Sequence, residues 1–146
     1  MHPNAILAPL RGIFSLTVYT VNTLFWSPLL FAVAIIKLLV PATRFRRWCN
    51  AILNFIAVRW IAVNNLNLRF ISRVRIQTRG VEALRAGNWY LVLSNHQSWV
   101  DILMLQHIFH RRIPFLKFFI KQELIWMPVL GLAWWALDFP FVKRYS

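Results

Sequence analysis

A chain of 146 residues has the length of one domain, but 59% hydrophobic and 16% aromatic content exceeds the usual apolar share of a soluble protein. The net charge of +13, from 17 Lys and Arg against only Glu82, Asp101, Glu123 and Asp138, draws the chain to a polyanion, either nucleic acid or an anionic lipid surface. A nucleic-acid module this basic shows a positive stripe on an otherwise soluble fold, whereas here arginines alternate with long apolar segments, so a membrane-lipid partner is expected and nucleic acid is not.

The first element is the uncharged stretch Gly12–Ile36, flanked by Arg11 and Lys37. It exceeds the roughly 20 apolar residues that cross a hydrocarbon core. Thr20, Asn22 and Thr23 make its middle polar, and Pro28 is placed to kink or divide a helix, so the stretch reads either as a membrane helix or as a shallow helical hairpin. Ala32-Val33-Ala34 resembles a signal-peptide cleavage site, but the apolar run is too long for such a leader and continues through Val40. Arg44, Arg46 and Arg47 follow the apolar segment and predict that the downstream chain faces the cytoplasm.

Trp48–Leu66 predicts a buried or interface-lying helix of imperfect amphipathicity, with Asn50, Asn54 and Asn65 on one side and Arg59 opposite. Leu68–Thr78 alternates polar and apolar positions and predicts a strand ending at an Arg79-Gly80 turn. Val81–Ala86 reads as a short helical connector closed by Gly87. Trp89–Leu93 is a continuous apolar run, as in a buried strand of a parallel sheet. Ser98 is a good N-cap for a helix over Trp99–Phe109, with Val100, Leu103, Leu105 and Ile108 on its apolar positions. Strand, connector, strand and helix in that order imply an α/β fold. The division expected is a membrane-associated segment over 1–47 and a partial α/β domain over 48–146.

The junction of the second strand and the helix carries the candidate chemistry. His96 falls at the carboxyl end of the apolar run, where open α/β sheets gather ligands. Asp101 falls at the third helical position, and two roles compete for it. As the acid of Ser98-x-x-Asp101 it completes a capping box by accepting from the N-cap N–H, which leaves His96 an ordinary loop residue. As a partner of His96 it orients one imidazole nitrogen and leaves the other to act as a base. His107 and His110 are three apart, but with no third ligand nearby a metal site is not expected. The one cysteine, Cys49, excludes an internal disulfide and a multi-cysteine metal cluster.

Asn95-His96-Gln97-Ser98-Trp99-Val100-Asp101 resembles the N-H-x-S-x-x-D signature of the glycerolipid and lysophospholipid acyltransferases, a family that includes bacterial lysophosphatidate acyltransferase. Lys121-Gln122-Glu123-Leu124, then Pro128 and Gly131, then Phe139-Pro140-Phe141-Val142-Lys143-Arg144 follow the order of that family's next motif: K-x-E-L, P-x-x-G and an apolar strand ending in arginine. The closing LDFPFVKRYS is most similar to a subgroup of Gram-negative inner-membrane acyltransferases, themselves similar to lysocardiolipin acyltransferases.

The resemblance implies that His96 deprotonates the hydroxyl of a lysophospholipid such as lysophosphatidate. That oxygen would then attack an acyl thioester of CoA or of acyl carrier protein, a co-substrate rather than a bound cofactor. It implies that Asp101 orients His96, that Arg144 and Lys121 grip the acceptor phosphate, and that Asn95 and Ser98 position the loop. It also implies a bacterial inner-membrane location with the catalytic part facing the cytoplasm. The family's third motif, a Glu-Gly-Thr/Ser-Arg turn, has no counterpart, because none of Gly12, Gly80, Gly87 and Gly131 follows a glutamate. The expectation is therefore an amino-terminal fragment. A membrane-surface module that binds anionic lipid without catalysis is the alternative.

Overall fold

The structure, a computed structural model, describes residues 3–72 and 75–143. Helix α1 spans Pro3–Leu39 without interruption, 37 residues, or about 55 Å at the usual rise. Pro28 does not divide it, so the helix reading of Gly12–Ile36 holds and the hairpin within that stretch does not form. The polar middle is accommodated within the helix and beside it: Thr17 and Thr20 donate their hydroxyls to the carbonyls of Ile13 and Leu16, each at 3.0 Å, and the Asn22 amide finds partners on a second helix. Val40 precedes Pro41 and is thereby pushed out of helical conformation, which closes α1. Helix α2 then spans Thr43–Leu66 and runs on into a π-helical turn at Asn67–Ile71.

Together these give two segments long and apolar enough to cross a membrane, Leu7–Leu39 and Thr43–Ile71. Only 28% and 33% of their apolar windows are buried by protein, whereas the core helix of a soluble domain is mostly covered. Leu16, Phe14, Phe25 and Leu39 are among the large apolar side chains left exposed, as a lipid-facing surface requires. Both helices thus have the length, composition and exposed apolar surface that suit membrane association.

The chain forms two compact units, each drawing on both ends of the sequence. The first comprises Met1–Thr23 and Trp60–Leu116. Within it a polar seam joins the two long helices: Asn22 donates to the Trp60 carbonyl at 3.0 Å and to Asn64 Oδ1 at 2.8 Å, Asn67 donates to the Ser15 carbonyl at 3.1 Å, and the Ser15 and Ser72 hydroxyls lie 3.0 Å apart. The earlier residue of α1 meets the later residues of the partner segment, so the two run antiparallel here. In lipid such bonds contribute about 0.6 kcal/mol each, a modest amount because the separated helices also find partners for these groups.

The rest of the first unit departs from expectation. Leu68 and Asn67 are buried in the π-turn rather than in a strand. Residues 75–79 have no regular structure, while Arg73 and Val74 of the same predicted strand lie outside the described residues. The Arg79-Gly80 turn does form, with Gly80 at φ 75°. In place of the helical connector, two turns succeed one another, closed by Leu84 N–H to the Val81 carbonyl at 3.3 Å and Asn88 N–H to the Arg85 carbonyl at 3.1 Å. Trp89–Leu93 is not a buried strand: Trp89, Leu91 and Leu93 are 91%, 78% and 84% exposed. A strand exists only by virtue of a ladder partner, and no described segment pairs with this one. Helix α3, Trp99–Phe109, forms where the cap and periodicity placed it.

The second unit comprises Leu24–Arg59 and Lys117–Ser146. Its two strands, β1 (Ile120–Lys121) and β2 (Phe141–Val142), pair in parallel with Ile120 opposite Phe141 and Lys121 opposite Val142. Parallel neighbours need a crossover; here it is a 3-10 turn, Gln122–Trp126, followed by helix α4, Leu130–Ala136. The fold is thus mostly helical, and its α/β character rests on this small sheet. Val129 lies at φ 64°, ψ −55° between Pro128 and Leu130, whose N–H reaches the Pro128 carbonyl at 2.7 Å. That is the strained form of the γ-turn, and costly for a β-branched residue.

Helix α4 ends in a Schellman motif, with Phe139 N–H on the Trp134 carbonyl and Asp138 N–H on the Trp135 carbonyl, both at 3.0 Å, and Asp138 in the left-handed position at φ 57°. The Asp138 carboxylate is held by both oxygens at 2.9 Å from Nζ of Lys37, a lysine only 7% exposed.

Gly131 packs its α-carbon against the Ile125 carbonyl, so that an added Cβ would collide with backbone. Gly131→Ala is therefore expected to destabilise the second unit by about 1–3 kcal/mol through overpacking. Denaturant unfolding in detergent measures this, and an unchanged midpoint would contradict the packing described.

Candidate active site

Ser98 caps α3 in an extended conformation, φ −151°, ψ 163°, which turns the preceding chain away from the helix axis and lays Asn95–Gln97 across its amino end. Asp101, in the first helical turn, reaches back. Its Oδ2 accepts the Ser98 N–H at 2.8 Å and the Gln97 N–H at 2.6 Å, satisfying two amide groups in the loop at the helix start. The same oxygen lies 3.4 Å from Nδ1 of His96. The two roles weighed for Asp101 from sequence are thus not exclusive: one carboxylate oxygen caps the helix and faces the imidazole. The contact to His96 is longer than a good neutral hydrogen bond, as catalytic contacts often are without substrate.

The electrostatics follow from that geometry. The N–H groups of Ser98 and Gln97, and then the nearby His96, lower the pKa of Asp101 below its ordinary 3.8, because each favours the charged carboxylate. Asp101 is consequently an anion at neutral pH. The His96 side chain is 57% exposed and that of Asp101 32% exposed, so a substrate can reach the imidazole.

The remaining predicted residues stand as follows. Ser98 is the N-cap, and its backbone N–H binds Asp101. Asn95 lies on the exposed irregular segment just before His96. Lys121 is an exposed residue of β1, in register with Val142. Arg144 lies outside the described residues. Sequence reasoning gave no role to Gln97, whose backbone rather than side chain matters, nor to the Lys37–Asp138 pair, to which Lys117 adds a 3.3 Å bond from Nζ to the Asp138 carbonyl. Neither leaves a local spacing to find. Among the described residues no group of three or more His, Cys, Asp or Glu is gathered as metal ligands.

An imidazole turned toward a carboxylate at a helix start, in a chain with two long lipid-compatible helices, defines a membrane-associated protein with an exposed His–Asp pair. Comparison with known proteins makes the class specific: residues 75–146, which contain that pair, match the model of the acyltransferase family. Human 1-acyl-sn-glycerol-3-phosphate acyltransferase alpha is 32% identical over 80 residues, covering 54% of this chain and 27% of the human protein. The bovine protein of the same name is 32% identical over 80 residues, 26% of its length. The chain thus spans about a quarter of the length of these relatives. No solved structure matches it.

Because the folded Asp101 pKa is lowered, its contribution to stability is fully present above the unfolded value and is lost as the pH falls through the folded one. Hydrogen exchange at the Gln97 and Ser98 amides should therefore be protected near neutrality and lose protection only below pH 3.8, the ordinary Asp value. Loss of protection at a higher pH would show that the carboxylate does not hold these amides.

Proposed function

We propose that the chain carries the histidine–aspartate centre of an acyltransferase that moves a fatty acyl group from a thioester of CoA or acyl carrier protein to the free hydroxyl of a lysophospholipid such as lysophosphatidate. The observation that carries the reading is the 3.4 Å approach of His96 Nδ1 to Asp101 Oδ2 inside the segment that matches the acyltransferase family. With Nδ1 turned to the carboxylate, Nε2 is the nitrogen that takes the hydroxyl proton. The acceptor oxygen then bonds to the thioester carbonyl carbon, the carbon–sulfur bond breaks, and the departing thiolate recovers the proton from the imidazolium. Asp101 holds the ring and offsets its transient positive charge, the role a buried acid plays behind a catalytic histidine.

The acceptor phosphate falls to Arg144 and Lys121. A guanidinium offers two parallel N–H donors to phosphate oxygens, and an ammonium adds a compact charge. Asn95 and Ser98 set the loop. The location that suits this chemistry is the cytoplasmic face of a bacterial inner membrane, where a water-soluble thioester meets an amphiphilic alcohol.

Acyl transfer to lysophosphatidate by membranes bearing the protein should fall by about 10²–10⁴-fold in His96→Ala, the range for loss of a general base. Asp101→Asn keeps an acceptor oxygen for the two amides but removes the charge behind the imidazolium, so it should keep helix α3 and still lose most turnover. Full activity in both variants would rule out His96 and Asp101 as the catalytic pair, and no acyl transfer by the unaltered protein would leave only a lipid-binding module. The protein should also stay with membranes in about 1 M salt, where electrostatic attraction is screened within about 3 Å. Its release by such a wash would contradict insertion through α1 and α2.

A further inference from the structure

A groove of about 450 Å³ opens in the first unit, lined by Thr78, Glu82, Leu84, Arg85, Arg111 and Arg112. We propose that this groove is a phosphate-binding site, distinct in its residues from the His96–Asp101 pair and taking either a lipid headgroup phosphate or that of a soluble phosphate ester. Three arginines are among the residues lining one hollow, against a single acidic residue there, Glu82. Like charges gathered in this way repel unless an anion joins them, and guanidinium is the group that matches phosphate with paired donors.

Two features show that the hollow is built rather than incidental. Arg85 sits in a turn whose backbone is clamped from both sides by one hydroxyl: its N–H donates to Tyr90 Oη at 2.7 Å, and that hydroxyl donates to the Arg85 carbonyl at 3.2 Å. On the other wall, Phe109–Arg112 is a type II turn, with His110 at φ −52°, ψ 119°, Arg111 at φ 61°, and Arg112 N–H on the Phe109 carbonyl at 3.0 Å. The third residue of such a turn favours glycine. An arginine there accepts backbone strain, and it places a cationic residue in the lining of the groove. Arginines beyond a helix end also complement the helix dipole, but that accounts only for Arg111 and Arg112 beside α3, not for Arg85 on a separate turn. The local field is positive in keeping with this: after burial, the charge of Arg111 lowers the pKa of His110, and burial followed by Arg112 and Arg69 lowers that of His107.

The test uses the whole chain in phosphatidylcholine nanodiscs with two probes, adenosine 3′,5′-bisphosphate by equilibrium dialysis and a fluorescent short-chain phosphatidate by titration. The variant combines Arg111→Gly, which suits the positive φ and preserves the turn, with Arg112→Gln; the control combines Arg44→Gln with Arg46→Gln, removing equal charge from an exposed stretch of α2. Affinity for at least one probe should fall about tenfold or more in the groove variant, the loss expected on removing charge-assisted phosphate contacts, with the control much less affected. Loss with the bisphosphate alone assigns a soluble ester, loss with the phosphatidate alone assigns a headgroup, and either supports the site. Equal weakening in variant and control, or no saturable binding of either probe to the unaltered chain, overturns it. Acyl transfer is read in His96→Ala and probe affinity in the groove variant, so failure of the acyl-transfer reading and failure of this one give different results.

Discussion

Asp101 Oδ2 lies within reach of the Ser98 and Gln97 amides and of the His96 ring, and the candidate site depends on that convergence. A side-chain carboxylate on its own rotates freely; here two backbone N–H groups fix it, and they are themselves fixed by the start of α3. The precision of the imidazole's partner therefore comes from the helix cap. The same donors keep the group ionised by lowering its pKa, so the element that positions the charge also maintains it. The exposure of both side chains follows too, since a helix amino end opens outward and its amides must be satisfied by something at the surface.

The two compact units solve different problems with buried polar groups. In the first, Ser15, Asn22, Asn64, Asn67 and Ser72 tie long apolar helices together where lipid contact supplies no hydrophobic gradient. This explains how α1 tolerates polar residues: Asn22 and Ser15 turn toward a partner, Thr17 and Thr20 bond their own helix, and leucine and phenylalanine are left facing outward. In the second, the buried Lys37 meets Asp138 at the end of α4. Asp138 is the residue that reverses the chain from helix to strand, so the ion pair fixes the turn that delivers β2 beside β1. Removing Asp138 would strand the buried Lys37 ammonium, which is costly, whereas the Asp138 side chain is itself 53% exposed.

The parts of the fold that were legible are those written in neighbouring residues. Helix α3 follows from Ser98 and the spacing of Val100, Leu103, Leu105 and Ile108, and it forms over the expected residues. The long apolar helix was legible from the uncharged run, although its continuity through Pro28 was not, because that depends on what surrounds the ring rather than on the ring. Leu68–Thr78 and Trp89–Leu93 show the opposite case. Their alternation and apolar content favour extended backbone, but a strand is a relation between two segments, and with no ladder partner among the described residues Trp89, Leu91 and Leu93 stay exposed.

The sequence by itself determined the apolar helices, the basic charge, the cap of α3 and the placing of His96 and Asp101 on either side of it, because each is set by composition or by residues within a turn or two of one another. Only the tertiary structure decided that one oxygen of Asp101 serves both cap and imidazole, that Lys37 meets Asp138, that Ile120 pairs with Phe141, and that Arg85 shares a groove with Arg111 and Arg112. Those are outcomes of packing, where distance along the chain carries no information about distance in space.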